Sequence, residues 1–248
     1  GDRLLRIERA YMSVKVLCPF NSDDKNRKKV WRTVKPFWNE RFTLVTSELD
    51  LSEFSRSKTR NNLLHQVDAE DIIVFVDADI WVDERNVWDC IDAVESGHKW
   101  AIGYQRYYRL NEESSDFFLD QVAKEGKVDR TPRQSECTIG GFRSYASCLI
   151  MTAEFFQDCG GYDERFMFWS YEDDAFNCVA KTFGGEPYRP RKHSSKRETN
   201  LIHFWHPEPL EDTWEQPYFK HNEELFKEYK ALEGKPVEMT EYIEGRYK

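Results

Sequence analysis

Residues 72–79 read Ile72-Ile73-Val74-Phe75-Val76-Asp77-Ala78-Asp79. An unbroken apolar run of this kind predicts a central strand buried on both faces. It ends on two carboxylates one residue apart, and Ile80-Trp81-Val82 follows. Burying a carboxylate without a counter-charge is costly. A hard divalent cation bridging to phosphate oxygens offsets that cost. Open α/β sheets also take their ligands in the crevice beyond the carboxyl ends of their strands. The stretch therefore predicts a metal–diphosphate site. A helix-capping turn is the plainer explanation of an isolated Asp-x-Asp, and the strand directly before it favours the site.

Around this strand the chain alternates. Ser13 to Cys18 reads as a first strand, stopped by Pro19. Asp23-Asp24 then caps a helix whose apolar positions Val30, Val34 and Phe37 recur at helical spacing. Phe42 to Thr46 is a second strand, and a short helix covers Ser57 to Gln66. After the aspartates, Asp83 caps a helix running to about Ser96, with Gly97 as its stop. Trp100 to Tyr104 is a fourth strand. This alternation is the βαβ signature of a parallel sheet.

Beyond it the order loosens. Residues 111–126 read as helix and 127–139 as a polar loop. Ser144 to Thr152 is a strand, and Glu154 to Cys159 a brief helix before Gly160-Gly161. Glu172 to Phe183 is a helix, Asn200 to Trp205 a last strand, and Tyr218 to Leu232 a charged helix. No repeat or low-complexity linker interrupts the chain, which predicts one α/β domain over residues 1–248.

Bulk composition narrows the function. The 248 residues suffice for a sizeable core. Aromatics make up 15%, mostly core, with some rings available to line a carbohydrate site. A net charge of −9 argues against generic attraction to nucleic acid or anionic membrane. No run approaches the roughly 18 apolar residues of a membrane span. No secretory leader is evident, although a first residue other than Met leaves a removed anchor or leader open. The six cysteines include no Cys-x-x-Cys pair, so a zinc or redox motif is not expected. Several lie in apolar runs, as reduced core cysteines do, and predict a cytoplasmic protein.

Three further segments carry chemistry. Residues 160–174 place an aromatic-rich loop, including Trp169, before the triplet Glu172-Asp173-Asp174. Three acids suit any helix N-terminus. The preceding aromatics make the segment distinctive, because ring faces suit sugars and a carboxylate can deprotonate a hydroxyl nucleophile. His203-Phe204-Trp205-His206 sets two imidazoles three apart. On a strand they face opposite sides, so only one joins a given site. A neutral imidazole beside a carboxylate suits Mn²⁺. Arg189, Arg191, Lys192, His193, Lys196 and Arg197 form a basic run. Such a run is commonly a solvated loop; here it is placed to close over a diphosphate as a lid or to touch an anionic acceptor.

Together these motifs resemble the GT-A glycosyltransferases, nearest the galactosyltransferase-type C-terminal domain and shading into glycosyltransferase family 2. The likeness covers roughly residues 13–207. Pro19-Phe20 resembles the start of the nucleotide pocket. Arg56-Ser57-Lys58-Thr59-Arg60-Asn61 resembles the Arg-Ala-Lys-x-x-Asn helix, which implies donor-binding roles for Arg56, Lys58 and Asn61. Asp77-Ala78-Asp79 matches the Asp-x-Asp motif, implying donor contacts from both and a metal bond from Asp79. Trp169 to Asp174 resembles the Trp-Gly-Gly-Glu-Asp-Asp stretch, which implies Asp173 as base. Trp169, Glu172, Asp174 and the pair Gly140-Gly141 are implied on the acceptor side. His203 resembles the downstream metal histidine.

The resemblance implies a GT-A, Rossmann-like fold with a mostly parallel central sheet flanked by helices. A nucleotide-binding half would span about 13–110, an acceptor-binding and catalytic half about 111–207, and a helical tail 208–248. It also implies Mn²⁺, or Mg²⁺, as cofactor and a nucleotide sugar, most often UDP-linked, as donor. The reaction would be an inverting hexosyl transfer to an acceptor hydroxyl. Two departures stand out. Ser170-Tyr171 replaces the paired glycines, implying a bulkier, less mobile acceptor loop. The disulfide-bearing N-terminal extension of secreted relatives is missing, which again implies the cytosol.

Three rival readings remain. A retaining enzyme like the polypeptide N-acetylgalactosaminyltransferases keeps the fold and changes the stereochemistry. A nucleotidyltransferase also uses strand-end carboxylates and a metal, but Cys18-Pro19-Phe20-Asn21-Ser22 has no glycine to cradle phosphate. A non-catalytic carbohydrate-binding protein would not need the acidic triplet. Acceptor hydroxyls of a glycan, protein, small molecule or modified nucleobase all fit.

Overall fold

The computed structural model describes residues 13–20, 24–47, 55–191, 199–207 and 215–246. Its main sheet is built on the apolar run. Strand β3 (Ile72–Val76) is buried at every position and lies at the centre. On one side it pairs in parallel with β1 (Val14–Pro19), which pairs in parallel with β2 (Thr43–Ser47). On the other side it meets β8 (Cys148–Thr152) antiparallel, and β8 meets β5 (Trp100–Ile102) antiparallel. Four of the five strands thus run one way and only β8 runs against them. The expected mostly parallel sheet is present.

The helices α1 (Lys25–Asn39), α2 (Arg56–Leu63) and α3 (Glu84–Glu95) follow β1, β2 and the aspartate segment. Side chains start them as the sequence predicts. Asp24 accepts from the Arg27 amide at 2.8 Å, and Asp83 from the Arg85 amide at 3.0 Å. Helix α1 is amphipathic and turns Val30, Trp31, Val34, Phe37 and Trp38 inward.

A second sheet is made of β4 (Ile80–Val82), β6 (Arg106–Leu110), β7 (Cys137–Phe142) and β9 (Asn200–His203). Its order is β4-β9-β6-β7. The apolar reading misses β4, β6 and part of β7, since Ile80-Trp81-Val82 reads there only as the sequel to the aspartates. Arg106-Tyr107-Tyr108-Arg109-Leu110 mixes charge with aromatics, and the loop expected over 127–139 ends in β7. That strand is an edge, carries two glycines and is nowhere fully buried. Strand β8 is shorter than expected, beginning at Cys148 rather than Ser144.

Helices α4 (Glu112–Glu125), α5 (Ala153–Asp158) and α6 (Glu172–Gly184) complete the layers. Two C-terminal helices, α7 (Pro217–Leu232) and α8 (Pro236–Gly245), pack on α6 and on each other. Asn222 of α7 is fully buried. It accepts from the Met167 amide at 3.0 Å and donates to the Met167 and Ser170 carbonyls at 2.8 and 3.2 Å. The tail therefore fastens the aromatic loop ahead of α6. Phe168, Ser170 and Tyr171 adopt left-handed backbone there, with φ of 56, 107 and 64°. Glycine would take these angles freely. Here the Asn222 bonds and the stacking of Tyr171 on Phe226, 5.3 Å between ring centroids, offset the strain.

Asn222→Leu should lower the unfolding free energy by about 3 kcal/mol, because each buried unpaired polar group costs about 1–3 kcal/mol. Ile139→Ser on the exposed edge should change it by less than about 0.5 kcal/mol. Urea titration checks both.

Candidate functional site

The end of β3 and the end of β9 meet through a short ladder. Strand β4 pairs antiparallel with β9, with Ile80 opposite His203. The Phe204 amide donates to the Asp79 carbonyl at 2.8 Å. This register brings the Asp79 carboxylate to His203, Oδ1 to Nε2 at 3.5 Å, and to His206, Oδ2 to Nε2 at 3.2 Å. All three residues are buried, and one ligand atom from each lies within 4.8 Å of the others.

This corrects the alternation argument, which allowed only one imidazole at the site. Strand β9 stops at His203. Beyond it the chain leaves the ladder, with the Trp205 amide bonded to the Ser115 hydroxyl at 3.0 Å. His206 returns beside His203, with 5.2 Å between the rings.

The electrostatics fit a cation. Burial pushes the His203 imidazole down to about 4, against the pull of Asp79, so it is neutral at physiological pH. His206 Nδ1 lies 2.9 Å from the Pro207 carbonyl, which can only accept, so this nitrogen carries the proton. Nε2 of the same ring faces the Asp79 carboxylate. Arg27 Nη2 lies 3.1 Å from that carboxylate oxygen and 3.3 Å from this nitrogen, so a cation already sits against the pair. One carboxylate and two imidazoles form a donor set for a divalent transition metal. Burial alone would raise the Asp79 carboxyl, yet it is held well below its usual range by His203, His206 and Arg27. With His203 neutral, the permanent charge is that of Arg27, whose Nη2 lies 3.1 Å from Asp79 Oδ2.

Asp77 lies outside this group, so the two aspartates of the motif do not share one cation. Arg56 Nη2 and Arg60 Nη2 each lie 3.0 Å from Asp77 Oδ1. The same arginines reach the acidic helix. Arg56 Nη1 is 3.3 Å from Glu172 Oε1, and Arg60 Nη1 is 2.6 Å from Asp173 Oδ1. Arg60 also lies over the Tyr162 ring, 4.8 Å from its centroid, and the Tyr162 hydroxyl donates to Asp173 Oδ1 at 3.4 Å. Burial would raise the Asp77 carboxyl, but Arg56 and Arg60 bring it below its ordinary value. Burial, aided by the charge of Asp173, raises Glu172 in spite of the same arginines. Sequence reasoning assigned no role to Arg60. The available signal was its spacing: residues four apart on a helix share a face, and Arg60 shares one with Arg56.

Other expected residues are placed as follows. Phe20, just past Pro19, stacks on Trp31 at 5.2 Å. Lys58 is exposed. Asn61 is engaged by the protein itself: its amide nitrogen donates to the Tyr162 carbonyl at 2.8 Å and its oxygen accepts from the Tyr162 amide at 3.0 Å. Gly140 and Gly141 lie in β7 beside Tyr108. Phe142 of that strand packs on Tyr107, which packs on His203, with centroids 5.0 and 5.9 Å apart. Strand β7 therefore borders the Asp79 group. Trp169 is half-buried in the aromatic loop, and Asp174 is exposed on the first turn of α6. Glu172 is turned inward, and its Oε2 accepts from the Ser170 amide at 2.7 Å.

The basic run does not begin as a lid. Arg189 is buried, donating to the Tyr104 carbonyl at 2.8 Å and to the Ser144 carbonyl. Lys192, His193, Lys196 and Arg197 lie outside the described residues.

No family model matches this sequence, and no curated protein matches it. Solved structures do. GalNAc-T7, crystallised with UDP, GalNAc and Mn²⁺, superimposes with a TM-score of 0.53 at 11% identity, over 90% of this chain and 50% of that one. The catalytic domain of Drosophila β1,4-galactosyltransferase 7 with xylobiose gives 0.48 at 13% identity, over 79% and 72%. A mutant of the same Drosophila enzyme with manganese, UDP-Gal and xylobiose gives 0.46 at 12%, over 79% and 72%. What the GalNAc-T7 likeness carries at this identity is the architecture. The fold is GT-A.

A divalent metal should bind at Asp79, His203 and His206. Asp79→Asn and His206→Ala should each weaken Mn²⁺ by at least about tenfold, as loss of a ligand requires. Asp77→Asn should change it by less than about threefold, since the Asp77 charge is screened by two arginines. Electron paramagnetic resonance of free Mn²⁺ reads all three.

Proposed function

We propose that the protein is a metal-dependent glycosyltransferase that moves a sugar from a nucleotide donor, UDP-linked, to an acceptor hydroxyl with inversion. The observation that carries this reading is the Asp79–His203–His206 group at the carboxyl end of the central strand of a GT-A fold. The acidic turn of α6 is tied to that strand end through Arg60 and Asp77.

Asp79, His203 and His206 would hold Mn²⁺, or Mg²⁺. Once bound, the ion supplies positive charge for the departing diphosphate. Asp173 is the base. Arg60 and Tyr162 both bond its Oδ1, which orients Oδ2 to take the acceptor proton. Glu172 fixes the backbone of the aromatic loop at Ser170. Trp169 and Asp174 supply a ring face and a hydrogen-bond acceptor to the incoming sugar. Phe20 and Arg56 are the donor-side contacts. Lys58 is exposed on the donor side, whereas the side chain of Asn61 serves the Gly161-Tyr162 turn. Gly140 and Gly141 flank the acceptor side, where the absence of side chains admits a ligand close to the backbone.

No helix among the described residues is long and apolar enough to cross a membrane. All six cysteines are free. Free thiols in this number suit a reducing, cytoplasmic compartment.

Asp173→Asn should lower kcat by about 10²–10⁴, the usual contribution of a positioned base. Binding of UDP with Mn²⁺, by calorimetry, should be retained. Loss of nucleotide binding instead would remove Asp173 from the base role. The anomeric configuration of the product, read by NMR, separates inversion from the retaining alternative.

A further inference from the structure

Arg27 lies on the first turn of α1, whose cap Asp24 fixes its backbone. Its Nη2 is 3.1 Å from Asp79 Oδ2 and 3.3 Å from His206 Nε2. One guanidinium thus touches two of the three residues that would ligate a metal. Its Nε is buried and has no hydrogen-bond partner among the described residues. The group is therefore held by the charge of Asp79 rather than by a complete socket of acceptors. The Arg27 side chain is 39% exposed, so it can swing outward without unpacking the core.

We propose that Arg27 is the resident counter-cation of this site and exchanges with the divalent metal for Asp79, so that metal and nucleoside diphosphate bind as a coupled pair. The inference rests on the metal and nucleotide reading above. A metal taking Asp79 Oδ2 and His206 Nε2 as ligands displaces the guanidinium, because the two cations repel and the imidazole nitrogen has a single lone pair to give. Displaced, Arg27 loses its anion. A diphosphate at the same strand end offers a replacement, with planar oxygen pairs that fit the guanidinium fork. The metal alone thus binds against Arg27. With the diphosphate present, the same arginine becomes favourable to binding. By linkage the metal must improve diphosphate binding by the same factor that the diphosphate improves metal binding.

The test is calorimetry on the full chain with Mn²⁺ and UDP, separately and together. Wild type should bind Mn²⁺ at least about tenfold tighter in saturating UDP, within the usual range of coupling. Arg27→Gln should bind Mn²⁺ alone about tenfold tighter than wild type, with the coupling reduced but not abolished, because the ion itself still attracts the diphosphate. Arg27→Lys, which keeps the charge, should return metal-alone binding toward wild type. A thermal melt confirms that both variants fold. If Arg27→Gln binds Mn²⁺ no tighter than wild type, the exchange is wrong even where wild type binds both ligands. If wild type binds neither Mn²⁺ nor its UDP complex, the glycosyltransferase reading falls too.

Discussion

Two carboxylates stand one residue apart where the central strand ends, Asp79 buried and Asp77 mostly so, and each must have a cation. Neither is strongly hydrated, so neither can be left unpaired. The structure answers the two demands differently. Asp77 is neutralised by Arg56 and Arg60, both from one face of α2. Asp79 is met by Arg27 and by two imidazoles. Much of the surrounding architecture follows from this division. It fixes α2 against the strand end, draws the end of β9 to Asp79, and brings the acidic helix α6 to the arginines already in place.

The Arg56–Arg60 pair does more than neutralise Asp77. The same two guanidiniums hold Glu172 and Asp173, so one positively charged layer lies between strand β3 and helix α6. A charged network this deep is not a source of large net stability, because desolvation offsets much of the attraction. Its consequence is geometric. Asp173 cannot shift without disturbing Asp77, and the loop before α6 is set from the other side by Asn222 of the C-terminal helix. Ser170 and Tyr171 belong to the same arrangement. Both residues adopt left-handed backbone, and packing against α7 stabilises what glycine would take freely.

Much of this was legible in the sequence. The buried strand, the caps at Asp24 and Asp83, and, β4 apart, the run of helices and strands to Ile102 follow from apolar spacing and turn chemistry. Asp79 is singled out by residue type and position, whereas the choice of His203 comes from the resemblance. Three features were not legible. Strand β4 is three residues long, β6 mixes charge with aromatics, and β7 is a half-exposed edge, so no apolar pattern sets them apart. His206 was set aside by strand alternation, which fails where the ladder ends after His203. Arg60 was hidden among ordinary helical cations, because its role appears only when β3, α2 and α6 converge. Arg189 erred in the opposite direction: its neighbours in sequence suggested a solvated run, whereas the Tyr104 and Ser144 carbonyls draw it inside.

The central claim is that Asp79, His203 and His206 form one cation site while Asp77 belongs to the arginines. Anomalous diffraction at the manganese edge, from crystals grown with Mn²⁺ and UDP, tests it most directly. The account predicts a single strong peak among the Asp79 carboxylate and the two imidazole Nε2 atoms, beside the diphosphate. A peak on Asp77, or bound UDP with no manganese beside Asp79, would contradict it.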